Sequence, residues 1–464
     1  MEQSKSSIGS VSRRVFVQTS AAAVLTAASY RRVLAANDRI GIGVIGFGLI
    51  GKRHVIDFRE QSDVNLAAVA EVHRGRLEEA KALMGGRVQG YGDFRKLLDD
   101  RAIDAVVIST PDHWHALMTM LACAAGKDVY VEKPLTLFVR EGRWMVQVAE
   151  HHRRIVQVGT QQRSGRHYQH ARELVQNGHL GKINSVRMHG YRNIMPGYGS
   201  PPDQDPPPEL DWDLFLGPAP YRKYNPNRAI YHFRWFWDYS GGQMTNWGQH
   251  ALDIVHWFQG CLGPRSVVSM GGRFCLEDNG ETPDTQDALF DYPGWTAIWS
   301  HREASRGSGA SYPMEFFGTR GSLAISRKGF VVTADRKVPP ANTVPRFAGA
   351  HPVGGPTPVA DSGLPQYWTQ SLKDESGNDQ VLFKLHVRNF LDCVKSRRQP
   401  LSDLESGHRV ATACHLANIS LRLGRSVRWD AVKEEILGDP VAAKMLVRPY
   451  RAPWDAELKS LGVG

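Results

Sequence analysis

The sequence predicts a doubly wound, parallel α/β domain near the N-terminus, with a second and larger domain behind it. Three observations lead there. At 464 residues the chain exceeds one ordinary core, and its composition, 42% hydrophobic and 22% charged, is globular. The apolar run Arg39-Ile40-Gly41-Ile42-Gly43-Val44-Ile45 passes directly into Gly46-Phe47-Gly48-Leu49-Ile50-Gly51 and then into helical residues 52–60. Strand-like and helix-like segments then alternate as far as residue 158, the pattern of repeated βα units.

Residues 1–36 stand apart. Ser12-Arg13-Arg14-Val15-Phe16-Val17-Gln18 resembles a twin-arginine export signal, followed by a short apolar stretch and by Val33-Leu34-Ala35-Ala36, small residues suited to a signal peptidase. Export to the periplasm or beyond is the expectation. About +4 of the net charge of +10 falls in this segment. The remainder carries no basic block or basic helix stripe, which argues against nucleic acid as a partner. No run approaches the roughly 20 apolar residues of a membrane span, so no membrane insertion is expected. Cys123, Cys261, Cys275, Cys393 and Cys414 are scattered without a CxxC pair and read as free thiols.

Residues 37–160 form the predicted nucleotide domain. In the loop Gly46, Phe47, Gly48, Leu49, Ile50 and Gly51, the first glycine permits the turn and the second lets a diphosphate approach the backbone. The third allows close helix–strand packing. The second strand, 64–70, ends in Glu71, twenty residues beyond Gly51. A carboxylate there accepts both ribose hydroxyls and repels a 2′-phosphate, which favours NAD; Arg74 nearby keeps NADP open. Strands follow at 104–109, 128–131 and 155–158, with helices at 114–125 and 139–152.

Two strand ends narrow the reading. Thr110-Pro111-Asp112-His113-Trp114-His115 follows one strand and Glu132-Lys133-Pro134 the next. With the glycine loop, these resemble the glucose–fructose oxidoreductase, inositol dehydrogenase and rhizopine-catabolism family (Gfo/Idh/MocA). Gly318-Thr319-Arg320-Gly321-Ser322-Leu323, Phe390-Leu391-Asp392 and the helix 407–423 resemble its later pieces, so that the likeness covers about residues 38–430. The resemblance implies a Rossmann domain followed, over 161–430, by an α+β domain with a large, open, mostly antiparallel sheet. One face of that sheet supports the site and the other often joins subunits, which implies a homodimer or homotetramer. Strand-like runs at 183–192, 266–274, 286–291, 295–300 and 322–326 fit, and 431–464 is left as a C-terminal extension.

Lys133, placed at a strand end, suits stabilisation of a developing alkoxide and proton transfer. Gly241-Gly242-Gln243-Met244-Thr245-Asn246-Trp247-Gly248-Gln249-His250 resembles the family's Asp-x-x-x-His helix, with Asn246 in the place of aspartate. The i, i+4 spacing puts Asn246 and His250 on one helix face. Because imidazole titrates near neutrality, His250 is the candidate proton-transfer residue. Since asparagine takes no proton, the burden shifts to His250 and Lys133, and Asn246→Asp should be tolerated. Thr110, Pro111, His115, Glu132, Lys133 and Gln161 complete the cofactor candidates with the glycine loop, Glu71 and Arg74. Arg163, Tyr191 and Trp235 join Lys133, Asn246 and His250 as substrate candidates. No metal site is expected: His250 and His256 diverge on a helix, and His113-x-His115 lacks a third ligand.

The segment 191–239, dense in proline and aromatics, reads as an ordered loop whose rings either face sugar C–H groups or pack the domain. A second irregular stretch, about 335–380, is left as a lid or an oligomer arm. The leading function is an NAD-dependent oxidoreductase acting on a carbinol of a sugar, glycoside or cyclitol. The alternatives are NAD-dependent glycoside hydrolysis or another closed redox cycle, and a non-catalytic nucleotide- or sugar-binding protein.

Overall fold

The computed structural model describes residues 39–86, 88–308, 313–337 and 366–464. The segment expected to be an export signal and most of the stretch 335–380 lie outside the described residues.

β1 (Ile40–Ile45) is buried at every position, as its unbroken apolar run demands of a strand covered on both faces. It leads into α1 (Leu49–Arg59). β2 (Val64–Ala70), α2 (Arg74–Leu83), β3 (Gln89–Tyr91), α3 (Phe94–Leu98), β4 (Ala105–Ile108), α4 (Asp112–Ala124), β5 (Asp128–Val131), α5 (Val139–His151) and β6 (Val156–Val158) follow. The six strands run parallel in the order β3-β2-β1-β4-β5-β6. The order reverses between β1 and β4, which opens a crevice above their carboxyl ends.

The second domain begins with α6 (Arg166–Gln176) and is organised on β7 (Ile183–Asn193). Further strands are β8 (Ser266–Gly272), β9 (Thr285–Tyr292), β10 (Trp295–Arg302), β11 (Ala304–Ser305), β12 (Met314–Gly318), β13 (Gly321–Ser326), β14 (Gly329–Ala334), β15 (Leu372–Asp374), β16 (Val427–Asp430) and β17 (Glu435–Ile436). They form one eleven-stranded sheet in which only the β7–β10 pair is parallel. This is the large, mostly antiparallel sheet expected. β8 stops at Gly272, short of the expected 274, because Asp284 Oδ2 accepts the backbone N–H groups of Phe274, Cys275 and Leu276 and turns the chain away.

α6, α7 (Gln249–Gln259) and α9 (Leu404–Leu423) cover one face of that sheet around Val186, Trp299, Phe316 and Leu416. Between them in sequence, α8 (Asp379–Ser396) returns to the first domain, where Phe390 packs edge-on against Phe58 and Tyr130. The last 34 residues are no loose extension: Tyr450, Trp454 and Leu458, the latter two on α10 (Trp454–Ser460), join the core under β4 and β5. Trp454 meets Trp114 at 4.7 Å between ring centroids.

Candidate active site

Two cavities are lined by expected site residues. The first, about 330 Å³, lies over the crevice and is lined by Gly46–Ile50, Glu71, Thr110, Pro111 and Trp114. Gly46 takes φ +88°, and a Cβ there would sit 3.0 Å from the Ser109 carbonyl; one at Gly51 would lie 2.3 Å from the Gly46 oxygen. Both therefore require glycine. Gly48 is different: its nearest neighbour would be Arg76 Nη1 at 4.0 Å, so the missing side chain leaves open space above the loop. No side chain caps α1, and its first turn holds no acidic residue. Those free N–H groups beside an open cradle fit a diphosphate. Glu71 is fixed at the end of β2, where its carboxylate accepts from Phe47 N at 2.7 Å and from His73 N at 3.0 Å. It lines the cavity, as the ribose role needs.

Several expected cofactor residues do other work. Arg74 turns outward and donates to the Pro208 carbonyl at 2.7 Å, while Arg76 and Arg234 line the cavity. His115 is buried off the cavity, with its ring nitrogens facing the carbonyls of Pro134 at 2.6 Å and Thr110 at 2.9 Å, so it ties two strand ends together. Glu132 accepts from its own neighbour, Lys133 N, at 3.1 Å and pairs with His54 at 2.8 Å. It positions the lysine backbone. Gln161 is buried in the turn after β6, outside either cavity, while its neighbour Gln162 faces the second one.

The aromatic segment roofs the first cavity. Leu210, Trp212, Phe215, Tyr224, Phe233, Trp235 and Tyr239 form a small core of their own. It docks on the nucleotide domain through main-chain bonds Arg74 N–Glu209 O and Asp211 N–Val72 O, 2.9 and 3.0 Å. Trp114 Nε1 adds bonds to the carbonyls of Leu214 and Phe215. Leu210, Phe215, Tyr231, Phe233 and Arg234 thereby face the glycine loop. Trp235, expected at the substrate, is buried inside this core and lines neither cavity.

The second cavity, about 570 Å³, lies beside β7 and holds His250, Tyr191, Trp247, Trp299 and Gln162. Arg163, also expected at the substrate, belongs to the framework. Its Nε and Nη2 grip buried Asp253, the closest contact 2.6 Å, and Nη1 bonds the Leu401 carbonyl and Ser406. Among the described residues no group of three or more His, Cys, Asp or Glu side chains is placed to hold a metal ion.

Lys133 lines neither cavity but is sensed from both. Arg234, lining the first, and Arg327, lining the second, both act on its charge. Its Nζ donates to Asn246 Oδ1 at 2.9 Å and to the Asn246 carbonyl at 3.2 Å. Asn246 lies in a π-helical turn, Met244–Gly248, that precedes α7, in place of the regular helix expected. Such turns recur at functional sites because they displace side chains from the regular face. Asn246 Nδ2 donates to Gln243 Oε1 at 3.1 Å, and Gln243 Nε2 to Glu303 Oε1 at 2.8 Å; Arg192 Nε closes the chain on the same oxygen at 2.7 Å. The fully buried Glu303 carboxylate thus orients two amides in series and fixes which atom Asn246 offers the lysine.

Electrostatics divides the roles. Burial lowers the Lys133 ammonium to about 8, with Glu132 opposing and Arg234 assisting. Burial, then Lys133 and Arg327, push the His250 imidazole well below its ordinary value. This corrects the expectation for His250: it is a neutral ring at neutral pH, able to hydrogen-bond a hydroxyl but a poor proton store. Lys133, lowered to about 8, lies nearer neutrality than the ring. Sequence reasoning missed Arg76, Arg192, Arg234, Gln243 and Glu303; only Gln243, three residues before Asn246, carries a local signal.

Comparison with known proteins agrees with this geometry. A profile described as "Oxidoreductase family, NAD-binding Rossmann fold" (GFO_IDH_MocA) matches residues 40–160. Its companion, "Oxidoreductase family, C-terminal alpha/beta domain", matches 165–267 and 381–456, so the likeness runs past residue 430. Myo-inositol 2-dehydrogenase of Thermotoga maritima is 31% identical over 147 residues, 32% of this chain and 44% of that protein. Inositol 2-dehydrogenase 2 of Saccharopolyspora erythraea is 29% identical over 256 residues, 54% of this chain and 62% of that protein. The chain spans about half the length of the curated relatives it matches. The crystal structure of GenD2 from gentamicin A biosynthesis, in complex with NAD, shares the fold with a TM-score of 0.58 at 19% identity, over 85% of this chain and 97% of that one. With both domains matched and the glycine loop, Glu71 and Lys133 placed around one crevice, the chain belongs to the GFO_IDH_MocA family of oxidoreductases.

Proposed function

We propose that this protein oxidises a carbinol of a sugar, glycoside or cyclitol with NAD, or runs the reverse reduction. The observation that carries this is the Lys133 amine, held by Asn246 and acted on by Arg234 of the nucleotide cavity and by Arg327 of the cavity walled by Tyr191, Trp247 and Trp299. The glycine loop and Glu71 would hold NAD, which when bound would supply the acceptor for hydride from the carbinol carbon. Lys133 takes the hydroxyl proton, which its lowered proton affinity permits near neutral pH. Neutral His250 hydrogen-bonds the substrate, and the aromatic walls exclude water and seat C–H faces. The inositol 2-dehydrogenase relatives support a cyclitol or sugar as substrate.

A second reading, glycoside cleavage through a closed redox cycle, is favoured by the aromatic roof over the nucleotide crevice, which suits a retained cofactor. Incubation with myo-inositol and with an aryl glycoside separates the two. Accumulating reduced nicotinamide is the result expected of net oxidation. Phenol release without it would establish the closed cycle, and neither signal with any polyol would refute both.

Two further parts of the proposal concern the whole chain. Residues 1–36 direct twin-arginine export, supported by Arg13-Arg14 and the residues after them; replacing both arginines by lysine should leave the precursor in the cytoplasm. The chain forms a homodimer through the outer face of the large sheet, where Val268, Leu289 and Ile298 lie side by side and Leu289 and Met270 are exposed. Leu289→Glu should then yield monomers by light scattering.

A further inference from the structure

We infer that the second cavity is built for an anionic substrate, a polyol carrying a carboxylate or a phosphate. The inference rests on the oxidoreductase reading above and names the substrate class of that site. The cavity presents three guanidinium groups, Arg192, Arg306 and Arg327, and no Asp or Glu among its described lining residues. A site for neutral cyclitols gains from carboxylates, which accept from hydroxyls; guanidinium groups only donate, and in a fork that matches carboxylate and phosphate oxygens.

Two of the arginines are paired from behind the cavity wall and the third has no partner among the described residues. Glu303, which pairs with Arg192, is fully buried and off the lining. Arg327 reaches Asp379 at 3.2 Å, a half-exposed carboxylate at the first position of α8 and also off the lining. Arg306 is exposed and makes no hydrogen bond or ion pair with any described residue. The surplus is felt inside: after burial, Arg327 is among the charges that hold down protonation of both His250 and Lys133. A cavity that concentrates cations between tryptophan walls, with the proton acceptor beyond them, raises the local concentration of an anion and repels cations. The rings of Trp247 and Trp299 remain for the sugar's C–H face.

The test is a fluorescence titration of the full, NAD-loaded chain, since two tryptophans line the cavity. The probes are glucuronate, glucose 6-phosphate, glucose and myo-inositol, at low and high salt. At least one anion should bind about tenfold or more tightly than glucose and myo-inositol, with a margin that narrows in salt. Binding confined to glucuronate identifies a carboxylate site, and binding confined to glucose 6-phosphate a phosphate site. Arg327→Ala should erase the margin between the anions and the neutral sugars. Arg306→Ala, at an exposed position, provides the same test should Arg327→Ala fail to fold. Neutral sugars binding as tightly as both anions, or no binding of either anion, overturns the inference. The redox reading fails separately: an anion that binds selectively yet never reduces the bound nucleotide keeps this site and removes that reading.

Discussion

Lys133 was legible in the sequence because a strand and Pro134 fix where its backbone must stand; its proton affinity was not, since that depends on burial and on Arg234 and Arg327, remote in sequence. On the proposed mechanism Lys133 is the base in oxidation and must be neutral. Activity should therefore rise with pH through about 8 and fall roughly tenfold per pH unit below, in a profile of kcat/KM. The stability consequence has a definite sign. The folded value lies below the unfolded one, so the unfolded chain binds more protons between about 8 and the ordinary lysine range, and stability rises with pH across that window. Lys133→Met should consequently stabilise the protein at neutral pH by about 1–2 kcal/mol in urea unfolding, discounted because the side chain is partly exposed, while cutting turnover about 100-fold or more. The expectation that Asn246→Asp is tolerated also changes. Aspartate would face Gln243 Oε1 acceptor to acceptor, and a turned Gln243 amide would set its oxygen against the Glu303 carboxylate. We predict about a tenfold loss of kcat/KM and a shift of the pH limb to higher pH, because a carboxylate favours the lysine's charged form. Glu303→Gln added to Asn246→Asp should restore activity, as the turned amides can then pair along the chain. A single variant with an unshifted limb would contradict the network.

At the scale of elements, local pattern sufficed where an element is defined by its own chain. The glycine loop, β1, β2 and the strands at 183, 285 and 295 fell close to expectation because buried alternation or an unbroken apolar run marks them. β12 and β14 are not marked in the sequence, although Gly318–Leu323 between and beside them resembles a later piece of the family; their short runs gain meaning only beside β13. The aromatic segment was recognised as ordered, but its partner was not legible, because Trp114 and Val72 are distant in sequence. Its docking hinges on Gly217, at φ +49°, where a Cβ would lie 2.0 Å from the Trp114 ring. Gly217→Val should lift this roof and speed NAD dissociation about tenfold or more in stopped-flow displacement, with little change in the secondary structure. Unchanged dissociation would mean that the roof does not retain the nucleotide.

Across the whole molecule, the two domains are one mechanical unit. α9 places Leu404 and Ala411 in the core of the first domain and Val410 and Leu416 in that of the second. The buried Arg163–Asp253 pair joins the turn after β6 to α7, which carries His250. Arg163→Ala leaves an uncompensated buried carboxylate and should cost about 3–5 kcal/mol in denaturant unfolding. A substrate ligand would instead raise KM at constant stability. The most direct test of the account is single-turnover reduction of bound NAD on mixing with a polyol substrate, in the native protein and in Lys133→Met. The account predicts equal nucleotide affinity in the two, rapid appearance of reduced nicotinamide in the native protein, and its near-complete loss in the variant. Equal reduction rates in both would contradict it.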